Sequence, residues 1–97
     1  MATKNLDIQL KAFDGEVIKD ADKPLTMKTV IVSALLAPEA DKKPDGAESA
    51  KRYKLALRLY DGGEQDLKPE ELTLIKMLVG QSYAPMVVGQ IYEWADA

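Results

Sequence analysis

The 97-residue sequence contains no cysteine and no histidine. Lacking cysteine, the chain can form no disulfide framework, and lacking both it loses the usual groups of thiolate, imidazole and zinc-site chemistry. Aromatic residues are scarce too, at one Phe, one Trp and four Tyr, so each one weighs heavily in any packing or interface argument. No apolar run approaches membrane-spanning length, and the polar opening Met1-Ala2-Thr3-Lys4-Asn5 has no signal-peptide core. The expectation is an intracellular, cytoplasmic protein. Positive charge is not in excess either: 13 basic residues against 16 acidic give a net charge of −3. That balance argues against a nucleic-acid binder relying on overall charge, while leaving a local basic face open.

What is present is an ordinary globular composition, 46% hydrophobic and 30% charged. The length suits one domain over residues 1–97, since two would leave each part too little interior to offset its chain entropy. Leu6, Ile8, Leu10 and Ala12 alternate with polar residues as a half-buried strand does. Asp14-Gly15 is a hairpin turn signal, and residues 16–19 are the returning strand. Thr26 then caps a helix whose Met27, Val30, Ile31, Ala34 and Leu35 share one face, widened by Val32 and Leu36. The β-branched run from Thr29 to Val32 would also suit a strand. Residues 38–49, with two prolines, a glycine and many charges, read as a flexible charged loop and the natural nicking site.

The second helix is expected from about Glu48 to Tyr60, with Tyr53, Ala56, Leu57 and Tyr60 on the core side and Leu55 and Leu59 as a second strip. The third opens at Pro69, where a missing amide costs nothing, with Glu70 and Glu71 complementing the helix dipole. Leu72, Ile75, Leu78 and Val79 form its buried stripe, and residues 80–84 interrupt it before Pro85 opens a fourth helix. That helix is apolar on more than one side, which fits a central position or a partner surface. The fold class is therefore mainly α (α+β): an N-terminal β-hairpin followed by about four short helices packed as a small bundle.

The polar constellations offer little chemistry. Glu70 and Glu71 are adjacent and do not face one another, so the dipole explains them better than paired-carboxylate catalysis. Asp14, Asp20 and Asp22 are spaced like half of a calcium loop but lack its glycine and closing glutamate, so no metal is expected. No phosphate-binding glycine run and no nucleophile elbow occurs, and no cofactor is expected. Gly80 reads as a helix end and Gly89 as a point of close helix packing. Lys51, Arg52, Lys54 and Arg58 form a basic stripe on the second helix, a candidate contact for nucleic acid or an acidic partner, against the alternative of a solvated face. Val87, Ile91, Tyr92 and Trp94 form the candidate protein interface; Tyr92 and Trp94, two residues apart, cannot share one helix face.

Taken in order, the Asp14-Gly15 hairpin, Ala34-Leu35-Leu36, the run at 51–60, the run at 66–76 and Pro85 to Trp94 resemble a group of small proteins encoded in tailed bacteriophages and prophages. The resemblance spans nearly the whole chain and implies a phage or prophage setting inside a bacterial host cell. It transfers no catalytic residue. Lys68 departs from the pattern, which places a Thr or Ser cap there, implying a weaker helix start. The expected function is non-enzymatic: an assembly or host-modulating factor that binds a protein partner or itself. The alternative is a nucleic-acid-associated accessory protein using the basic stripe.

Overall fold

A computed structural model describes residues 2–20, 22–37 and 45–97. In chain order the elements are β1 (Ala2–Asn5), β2 (Lys19–Asp20), β3 (Lys23–Pro24), α1 (Met27–Leu36), α2 (Gly46–Leu59), β4 (Glu64–Leu67), α3 (Pro69–Ser82) and α4 (Pro85–Asp96). Among the described residues, four helices with small antiparallel pairings make the α+β class expected from the sequence.

The helices begin where the capping residues dictate. The Thr26 hydroxyl accepts from the Thr29 amide at 3.2 Å, and α1 follows with Met27, Val30, Ile31, Ala34 and Leu35 all buried. Burial of that 3.6-periodic face, about 1.5–3 kcal/mol for each large side chain, overrides the strand preference of the β-branched run. Ala37 leaves the helix in an extended conformation, as a residue preceding proline should. Asp45 caps α2 by accepting from the Glu48 amide at 2.8 Å. The helix thus starts at Gly46, two residues before the expected Glu48, and 45–49 are cap and first turn rather than loop. The remainder of the expected loop, 38–44, lies outside the described residues.

The α2 helix ends at Leu59 with Tyr60 as its C-cap, and beyond it Gly62 and Gly63 take positive φ angles of 71° and 69°. A side chain at Gly62 would be strained there, and its Cβ would lie 2.7 Å from the Asp7 carboxylate. Pro69 opens α3 as expected. The Lys68 amide donates to Glu71 Oε1 at 2.8 Å, the acid's half of a capping box, and no side chain at 68 caps the first-turn amides as a Ser or Thr would. Gly80 does not end this helix, which continues to Ser82.

Pairing at the N-terminus is less regular than one hairpin. Residues 6–13 do not form a continuous strand, because Leu6 and Leu10 are fully buried while Ile8 between them is exposed. Only isolated bridges occur, Gln9 with Thr26 and Lys11 with Val17. The Asp14-Gly15 turn closes the second, with Gly15 at φ 87° and the Ala12 amide donating to the Glu16 carbonyl at 2.8 Å. The longer ladder joins β1 to β4, antiparallel, from Ala2 opposite Leu67 to Asn5 opposite Glu64. It buries Lys4 and Leu67 on its inner face and leaves Thr3 and Asp66 outside, where the Thr3 hydroxyl donates to the Asp66 carboxylate. The core unites Leu6, Leu10, Val30, Ile31, Leu59, Leu67, Ile75, Val79 and Ile91, with α1 packed against both α2 and α3, and α3 against α4.

Candidate interaction surface

The broad apolar face of α4 is spent inside the chain. Ile91 is 0% exposed and Trp94 7%, and Val87 is half-buried against the core. The Trp94 indole donates to the Asn5 carbonyl at 2.8 Å. Four residues earlier, the Gln90 side-chain amide pairs with both backbone groups of Lys11: it accepts from the Lys11 amide at 2.9 Å and donates to the Lys11 carbonyl at 2.8 Å. The Lys4 ammonium donates to the Ala97 carbonyl oxygen. The last helix therefore clasps the N-terminal segment, and Ile91 and Trp94 have no side chain to offer a partner while this fold holds. Tyr92 alone of the four expected interface residues is exposed, with the Lys76 ammonium 5.4 Å from its ring centre. Its hydroxyl lies beside Gly80. Gly89 faces open space, so close packing does not explain it.

The basic stripe is divided. Arg52 turns inward, 7% exposed, with its Nε 3.3 Å from Glu48 Oε1. Lys51, Lys54 and Arg58 remain outside and line a groove of about 400 Å³ between α2 and α3, where they meet Glu48, Glu70 and Glu71. Arg58 pairs with Glu71 at 3.1 Å. Partial burial alone would push the Glu71 carboxyl up. The Lys68 amide and the Arg58 guanidinium outweigh it and hold the group below its ordinary value. Three carboxylates and three cations line the same groove, so a phosphate there would meet acids as well as bases, and at Arg58 it would compete with Glu71.

Of the four α2 residues that the sequence assigned to the core side, Ala56 is buried and the other three are open. Leu55, Ala56 and Leu59 point inward with Arg52, while Tyr53, Leu57 and Tyr60 are 57%, 58% and 64% exposed. The two strips lie about one third of the helix circumference apart, and both are apolar. What separates them is chemistry: the aliphatic strip has no polar atom to satisfy, whereas each tyrosine hydroxyl keeps a partner only if its tip stays wet. With Val32 and Leu36 of α1, the exposed strip and Ala56 bound a shallow apolar depression of about 110 Å³. The helix α1 has one charged residue, Lys28, whose ammonium sits 4.9 Å from the Tyr60 ring centre at the edge of this face. A contiguous exposed apolar patch of this kind is of the size a small monomer ordinarily carries, and such patches are often functional.

Among the described residues no group of acids is arranged to hold a metal ion, and no helix is long and apolar enough to cross a membrane. No protein-family model, characterised protein or solved structure matches the chain.

Proposed function

We propose that this chain is a small non-enzymatic protein that acts by protein–protein interaction, in the cytoplasm of a bacterial host and in a phage or prophage setting, as an assembly or host-modulating factor. The observation that carries the proposal is the uncharged face of α1 and α2, where Leu36, Tyr53, Leu57 and Tyr60 are each more than half exposed around an apolar depression. Tyrosines beside aliphatic side chains supply large, stiff contact area with polar tips, the composition favoured at the centre of interfaces. The sequence-level resemblance supports the phage setting. The expected interface on α4 is accordingly moved to α2, with Tyr92 left as a separate exposed aromatic.

The test is a tagged pull-down from bacterial cells with and without phage infection, with nuclease treatment, comparing wild type with Leu57→Glu. A nuclease-resistant protein recovered by wild type, lost with Leu57→Glu and rebound in purified form supports the proposal. Recovery of only nuclease-sensitive material, abolished by changing Lys51, Lys54 and Arg58 to Glu, would replace it with the nucleic-acid-associated alternative.

A further inference from the structure

We infer that the uncharged face of α2 pairs with a second copy of the same chain, the two helices lying antiparallel about a twofold axis. The pairing presupposes the interaction role proposed above and names its partner.

The first ground is the seam itself. Ala50, Tyr53, Leu57 and Tyr60 follow one another at spacings of three, four and three along α2 and its C-cap, the alternation that lets one helix face meet another over several turns. Such a seam reads the same in both directions. An antiparallel copy therefore meets it in register, setting Ala50 against the partner copy's Tyr60 and Tyr53 against its Leu57. Each layer then matches a larger side chain with a smaller one, as a self-complementary twofold contact requires.

The second ground is electrostatic. Outward residues of α1 other than Lys28 are uncharged, as are Gly46 and Ser49 on one side of the α2 seam, while the exposed Lys54 and Asp61 flank its other side at the solvent rim. Closing two such faces on each other desolvates no ion pair and strands no charge in the interior. Lys28 stays at the margin on the Tyr60 ring.

Area is the third. The four large exposed side chains leave on the order of 400 Å² open to water. Two copies would cover roughly twice that, and their small-residue margins bring the total to about 1,000 Å², just short of the size at which stable interfaces begin. A contact of this size implies a dimer with a dissociation constant of roughly micromolar order.

The absence of cysteine from the sequence makes the geometry directly testable. Ala50→Cys and Tyr60→Cys variants, alone and mixed, are treated with a bis-maleimide of about 8 Å reach. In the inferred register residue 50 opposes residue 60 of the other copy, whereas like residues are offset by about 15 Å along the axis. The mixture should therefore cross-link at least tenfold more than either variant alone. In parallel, sedimentation equilibrium should show a wild-type dimer weakened at least tenfold by Leu57→Glu, with helical circular dichroism unchanged.

A wild type that is monomeric at about 100 µM, a dimer indifferent to Leu57→Glu, or equal cross-linking in all three samples would overturn the inference. Should the monomer still capture a foreign protein in a Leu57-dependent way, self-pairing falls and the interaction role stands. A monomer that captures nothing removes both.

Discussion

The helices α2 and α4 present similar inventories, each with aromatic and aliphatic residues on more than one side, and they use them in opposite ways. In α4 the large side chains Ile91 and Trp94 close on the core, and polar hydrogen bonds from Trp94 and Gln90 fasten the helix to the N-terminal segment. In α2 the aliphatic strip closes on the core and the tyrosine strip stays in water. An aromatic residue becomes structural or available according to whether its polar atom finds a partner inside. The Trp94 indole meets the Asn5 carbonyl; Tyr53 and Tyr60 keep their hydroxyls outside. Amphipathic side chains thus mark the boundary of the core more faithfully than apolar periodicity does.

The sharpest way to break this contrast is to exchange the fates of the two helices by mutation. Trp94→Ala should cost about 3–5 kcal/mol in denaturant unfolding followed by circular dichroism, a large share of what a domain this size possesses. Leu57→Glu should leave unfolding within about 0.5 kcal/mol of wild type while removing association. Similar destabilisation by both would erase the distinction.

A smaller effect of opposite sign comes from the outer side of α4. Gly89 has nothing within 4 Å of where a Cβ would stand, so Gly89→Ala should raise stability by about 0.5–1 kcal/mol through helix propensity alone. Loss of stability would mean that the sequence-based expectation of close packing at this glycine was right after all.

Smallest is the acid response of the α2–α3 groove. The folded-state value of Glu71 lies below its ordinary 4.5, so its contribution is complete above that value. It is lost as the pH falls from there through the lower folded-state value, because the unfolded chain takes up the proton first. Glu71→Gln should be less stable than wild type at neutral pH, and the gap should close in this acid range. A gap that stayed constant down to pH 2 would show that the Lys68 amide and Arg58 do not hold the carboxylate.

How legible these regions were in the sequence depended on how local their causes are. The start of α1 at the Thr26 cap, its buried face, and the openings of α3 at Pro69 and α4 at Pro85 all follow from neighbouring residues. The β1–β4 ladder does not: its partners are some sixty residues apart, and Glu64-Gln65-Asp66-Leu67 has no strand alternation beyond a single Leu. Pairing there is decided by what the closed core leaves unpaired. The candidate surface was half legible. Its residues were all singled out, but Tyr53, Leu57 and Tyr60 were placed inside because one helix with two apolar strips cannot reveal which of them the rest of the chain will cover. Arg52 adjoins Lys51 in sequence and so reads as part of the basic stripe; its turn inward toward Glu48 depends on the packing of α2.

Hydroxyl-radical footprinting of the dilute protein tests the central contrast most directly, since it reads the solvent accessibility of Trp94, Tyr53 and Tyr60 in one sample. Tryptophan is intrinsically at least as reactive as tyrosine, so burial alone must account for any protection. The structure predicts rapid modification of Tyr53 and Tyr60 with Trp94 protected until the chain unfolds. Modification of Trp94 at a rate matching Tyr53 in the folded protein would contradict it, and would return the interaction surface to α4.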